Sequence, residues 1–173
     1  LFDIKFVKPK PLVSRDLRIE VDERVDADGE ILREVDGAAF GPVMEKFRES
    51  GVESIAVAFM NSYRNDANEK VALEKLRALA GDIPVCISTG VVPEKGEFER
   101  FSTCVLNAYL TPVVQTYLKT LASELEGQGI AAPVSVMGSN GGVMTLERCG
   151  SAKWPGSTTA LLSTWAAPAR TWR

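Results

Sequence analysis

Ser54-Ile55-Ala56-Val57-Ala58-Phe59-Met60 is a short run, apolar on both faces, that leads into Asn61-Ser62-Tyr63. A half-exposed strand alternates polar and apolar residues, whereas a strand covered by helices on both sides reads as one continuous apolar run. Downstream, Asn65-Asp66 opens a helical pattern with Val71, Leu73, Leu76 and Leu79 inside and charges outside, closed by Gly81. Ile83–Ile87 is a second apolar run. Strand, helix and strand with short links are the mark of a parallel pair joined by a right-handed crossover. The stretch therefore predicts a three-layer α/β fold with a mainly parallel sheet, in which Ser54–Met60 and Ile83–Ile87 are neighbours.

Upstream, Leu17–Val25 carries Ile19 and Val21 between Arg18, Glu20 and Asp22, the period of a half-buried strand. Asp26-Ala27-Asp28-Gly29 is a turn signal, and Ile31–Val35 then pairs back as an N-terminal hairpin beside the sheet. Asp36 caps a helix with Phe40, Val43, Met44 and Phe47 at helical spacing, ended by Gly51. On the far side, a helix is expected from about Ser102 to Glu126, kinked or split at Pro112. Its apolar stripe would be Val114, Tyr117, Leu118, Leu121 and Leu125. Pro133–Met137 reads as a third apolar strand running into Gly138-Ser139-Asn140-Gly141-Gly142. From Cys149 neither period is present although all three tryptophans lie there, so no ordered structure is expected. The expected units are 1–100, 101–148 and a tail over 149–173.

Composition narrows the chemistry. The 173 residues are 45% apolar and 25% charged, ordinary for a globular chain, and the net charge of −3 argues against nucleic acid. No apolar run approaches the roughly 18 residues of a membrane helix, and no secretory pattern opens the chain, so the expected compartment is the cytoplasm. With no histidine, Ser-His-Asp and Cys-His catalysis are excluded. Cys86, Cys104 and Cys149 form no CxxC pair, and two of them sit in apolar surroundings where a free cysteine acts as a small hydrophobe. No metal site is expected.

Ligands of open α/β sheets bind outside the carboxyl ends of the strands. Three segments meet that condition: Asn61-Ser62-Tyr63, the stretch from Ser88 through Glu94 and Glu97 to Arg100, and Ser139-Asn140-Gly141-Gly142. Small, polar and glycine-rich residues suit contact through backbone N–H groups. Read singly, each is equally a turn that ends a strand. Glu94, Glu97 and Glu99 fit a helix N-terminus through its dipole, with acid/base work as the second reading. Asn107 lies one turn beyond Thr103, either as a polar contact across the strand ends or as an exposed residue. The ligand-binding candidates are therefore Asn61, Ser62, Tyr63, Glu94, Glu97, Arg100, Asn107, Ser139, Asn140, Gly141 and Gly142.

Several of these segments resemble the hydantoinase A / 5-oxoprolinase family. The resemblance rests on Arg15–Val21 with Glu23–Gly29, on Ala56–Tyr63 with Asn65 and Glu69, and on Ser139–Gly142. Its most specific part is Pro93-Glu94, Glu97–Arg100, Ser102-Thr103 and Asn107–Leu110. The resemblance implies part of an actin-like ATPase fold, with 1–100 in the N-terminal hydantoinase/oxoprolinase domain and 101–148 opening the hydantoinase A domain. It also implies an ATP- and Mg-dependent subunit that opens a cyclic amide with a second subunit or domain of the hydantoinase B type. The amide oxygen would be phosphorylated and the ring attacked by water. Both glycine-rich phosphate loops of the family are missing from this sequence, so the chain is expected to be an inert internal fragment. The alternative is a non-catalytic α/β ligand-binding or protein-interaction module. The tail itself is expected to be a frameshifted reading of the second loop, because the shifted codons around Trp165 can spell Asp-Met-Gly-Gly-Thr. Sequencing the coding DNA tests that.

Overall fold

The computed structural model describes Lys5 and residues 10–130, 132–137 and 141–145. The expectations for Ser139, Asn140 and the 149–173 tail lie outside the described residues.

The parallel pair is present where the sequence puts it. Strand β3, Ile55–Val57, pairs in register with β4, Val85–Ile87, as Ile55 with Val85, Ala56 with Cys86 and Val57 with Ile87. Helix α2, Ala67–Ala80, makes the crossover. Alternation divides the two faces of this pair. Ile55, Val57, Val85 and Ile87 enter a core with Phe40, Met44 and Phe47 of helix α1, Phe40–Glu49, and with Ala72, Leu76 and Ala80 of α2. Ala56 and Cys86 face the opposite way, against Cys104 and Ala108 of helix α4, Glu97–Gly127. These side chains are small, which lets a long helix lie close on the strands. The local architecture is thus three layers around a two-stranded parallel pair.

Four expectations for the helices are corrected. In α2, Val71 and Leu79 are exposed, while Asn68, Glu69, Ala72, Leu76 and Ala80 are buried. The buried stripe is led by two polar residues, so a reading based on apolar periodicity misplaces it. Helix α4 begins at Glu97, not Ser102, and continues unbroken past Pro112. Its inward stripe up to that proline is Arg100, Thr103, Cys104, Asn107, Ala108 and Thr111, too polar to register as a core face. Tyr117, expected inside, is exposed.

The N-terminal hairpin is shorter than expected. Arg15–Leu17 is a 3₁₀ turn, and only β1, Arg24–Val25, pairs with β2, Ile31–Arg33, across a register shift. Ile19 and Val21 still face the main core, so the alternation marks an extended segment without a ladder partner. The turn is held by Asp26 Oδ1, which accepts from the Asp28 and Glu30 amides at 2.9 and 2.8 Å. Gly29 turns the chain at φ +93°, where a side chain would be strained and would also meet Arg64.

The third strand is not part of the parallel pair among the described residues. β5, Ser135–Met137, forms an antiparallel hairpin with β6, Val143–Thr145. Val136 and Met144 pack on Val114 and Leu118 in the second half of α4, and the flanking Ser135 and Met137 face outward. The third apolar strand that the sequence reading expects in the same sheet thus belongs to a separate hairpin, buried on one face only. No helix among the described residues is long and apolar enough to cross a membrane.

Candidate functional site

The carboxyl ends of β3 and β4 converge on a buried polar cluster. Glu69, in the first turn of α2, is fully buried. Its Oε1 accepts from the Phe59 amide at 3.0 Å and from Ser88 Oγ at 2.5 Å. Its Oε2 accepts from the Thr89 amide at 3.0 Å and from Thr89 Oγ1 at 2.8 Å. Four donors around one carboxylate offset the penalty of burying its charge. The short helix α3, Ser88–Val91, aims the Ser88 and Thr89 groups at Glu69.

Arg100 supplies the opposite charge and is equally enclosed, at 1% exposure. Its Nε donates to Ser88 Oγ at 3.1 Å, Nη1 to the Glu94 carbonyl at 3.1 Å and Nη2 to the Phe59 carbonyl at 2.9 Å. Nη2 also lies 3.6 Å from Glu97 Oε1. The guanidinium stands over the rings of Tyr63 and Phe101, 5.5 and 5.3 Å from their centroids. Ser62 Oγ donates to the same Phe59 carbonyl at 3.0 Å and lies 3.4 Å from Ser88 Oγ. One arginine thereby ties together the ends of both strands, the loop after α3 and the start of α4.

The candidates separate into groups. Ser62, Tyr63, Glu97 and Arg100 meet in the cluster, and Glu94 joins it through its carbonyl. The Glu97 carboxyl is held below its ordinary value, chiefly by its own backbone amide, against opposing desolvation and helped by the Asn61 amide and Arg100. Asn61 adopts φ +54°, and its Nδ2 donates to the Val25 carbonyl at 3.0 Å. Its side chain docks the hairpin, as does Asn65 Nδ2 on the Gly29 carbonyl at 2.9 Å. Asn107 is neither exposed nor at the strand ends: it is buried and lies against Cys86 in the middle of β4. Gly141 and Gly142 precede β6 on the separate hairpin. Glu69 was no candidate in the sequence, because a glutamate in the first turn of a helix reads as a solvated charge that favours the dipole.

A magnesium nucleotide needs converging free N–H donors and a carboxylate open to the metal. At these strand ends the Phe59 and Thr89 amides and the Arg100 guanidinium already have protein acceptors, and Glu69 is enclosed. The cluster does not fit that group. Among the described residues no group of three or more His, Cys, Asp or Glu side chains is placed to hold a metal ion. An open groove lies elsewhere, lined by Glu53, Pro112, Val113, Thr116 and Tyr117 near the amino end of β3.

Comparison with known proteins agrees with this architecture. Residues 1–80 match the hydantoinase/oxoprolinase N-terminal region and residues 100–172 match the hydantoinase/oxoprolinase family. An uncharacterised protein of Methanocaldococcus jannaschii is 37% identical over 147 residues, covering 85% of this chain and 22% of that one. Caprolactamase subunit alpha of Pseudomonas jessenii is 34% identical over 142 residues, covering 82% of this chain and 20% of its own length. The crystal structure of ATP-dependent caprolactamase from the same organism superposes with a TM-score of 0.76 over 82% of this chain. The chain belongs to the hydantoinase/oxoprolinase family. It spans about a fifth of the length of these relatives.

Proposed function

We propose that this chain is a scaffold portion of an ATP-dependent subunit that opens cyclic amides, working in the cytoplasm beside a second subunit of the hydantoinase B type. By itself it neither binds ATP tightly nor hydrolyses it. The observation that carries this reading is the saturated strand-end cluster. Glu69, Ser88 and Arg100 satisfy one another and the surrounding backbone, so the place where an α/β sheet ordinarily takes its ligand is closed by protein groups. The similarity to an ATP-dependent caprolactamase supports the reaction class, since a lactam is a cyclic amide. The similarity to a protein named as a subunit supports the partner.

Calorimetric titration of the chain with Mg-ATP tests the reading. No saturable heat is expected at ligand concentrations up to the millimolar range. A dissociation constant in the low micromolar range overturns it in favour of a ligand-binding module.

A further inference from the structure

Cys86 of β4 and Cys104 of α4 face each other in the layer between strand and helix, with their Sγ atoms 3.7 Å apart. Both are free thiols, 4% and 0% exposed. Cys104 donates to the Val57 carbonyl at 3.7 Å, and Cys86 has the Cys104 carbonyl as an acceptor at the same distance. Asn107, one turn beyond Cys104, lies near Cys86, and its buried Nδ2 has no hydrogen-bond partner.

The two thiols are not equivalent. Hydrogen bonding from Cys104 lowers Cys86, against opposing desolvation and with help from Asn107. The same contact, with burial, pushes Cys104 well up.

We propose that Cys86 and Cys104 form a peroxide-oxidisable dithiol that closes to a disulfide, stapling α4 to β4. The Cys86 thiolate attacks hydrogen peroxide, a molecule small enough to enter a closed core. The O–O bond breaks, Cys86 becomes a sulfenic acid, and the released hydroxide takes up the proton that left the Cys86 thiol. Cys104 sulfur then attacks the sulfenic sulfur, forming the S–S bond, and the departing hydroxyl leaves as water with the Cys104 proton. Two thiols and one peroxide give one disulfide and two waters, with the sulfurs oxidised and the peroxide reduced by two electrons. The sulfurs must close from 3.7 Å to about 2.05 Å.

The test is a non-reducing tryptic map of the folded chain after peroxide treatment, acid quenching and alkylation of residual thiols. The expected product joins peptide Ala78–Lys95 to Phe101–Lys119, and a dithiol reductant releases it. In Cys104→Ala the reaction stops at a Cys86 sulfenic acid that dimedone traps. If both peptides are recovered fully alkylated, or if either is joined to the peptide of Cys149, the proposal fails. Should the variant not fold, the wild-type map alone decides, because recovery of both peptides as sulfinic acids without a cross-link also overturns it.

Discussion

Glu69 and Arg100 are joined through one hydroxyl: Ser88 Oγ donates to Glu69 Oε1 at 2.5 Å and accepts from Arg100 Nε at 3.1 Å. The two charges are drawn from α2 and α4, on opposite sides of the parallel pair, and the link crosses its carboxyl edge. Ser88 can serve both because a hydroxyl is at once donor and acceptor.

Breaking this link from one side should be severe. Arg100→Met leaves Glu69 as a buried charge short of its counter-ion, takes one of two donors from the Phe59 carbonyl and removes the donor to the Glu94 carbonyl, so a loss of about 3–5 kcal/mol is expected in urea unfolding. Combining it with Glu69→Leu should cost clearly less than the sum of the two single changes. Additive losses would show that the two groups do not communicate through Ser88.

Asn61 combines a left-handed backbone with a side-chain bond to the hairpin. Asn61→Ala loses both the tolerance of φ +54° and the bond to Val25, while Asn61→Gly loses only the bond. Alanine is expected to cost roughly 1–3 kcal/mol and glycine less, by the difference in their denaturation midpoints. Equal losses would leave the backbone argument without support.

Pro112 sits inside a 31-residue helix and removes one intrahelical N–H. Thr111 Oγ1 donates to the Asn107 carbonyl at 2.7 Å in the same turn. Pro112→Ala should raise the thermal midpoint by an amount worth about 1–2 kcal/mol, since regained helix propensity exceeds the lost stiffness of the unfolded chain. A lower midpoint would mean that packing of the proline ring outweighs both.

Two carboxyls give opposite pH responses. Glu97 is lowered in the fold, so the stability it contributes is complete above the ordinary carboxylate value and is lost as pH falls through the lowered one. Glu23 is raised, first by burial and against the bond from Asn68 Nδ2, so its ionisation weakens the fold as pH rises through the carboxylate range. Glu97→Gln should therefore destabilise at neutral pH with the loss shrinking in acid, whereas Glu23→Gln should stabilise at neutral pH with the gain fading in acid. Urea midpoints at neutral and acid pH check both signs, and a gain for Glu97→Gln at neutral pH would contradict its assignment.

The sequence by itself determined the parallel pair and its crossover, because a run apolar on both faces has few stable placements other than between two layers. It also determined the family resemblance, and it brought Ser62, Tyr63, Glu97 and Arg100 into view as a polar set at the strand ends. It did not determine what that set does. Whether Arg100 is a free cation for a ligand or a clamp on its own backbone depends on Phe59, Ser88 and Glu94, which are 41, 12 and 6 residues away along the chain. Local pattern carries no information about such partners, since hydrogen bonds form between groups that only folding makes neighbours. The same reason hid Glu69, which reads as a surface charge on a helix until its four donors are placed around it. It hid the proximity of Cys86 and Cys104 as well: spacing along the chain named two small hydrophobes, and only the packing of α4 on β4 set their sulfurs 3.7 Å apart.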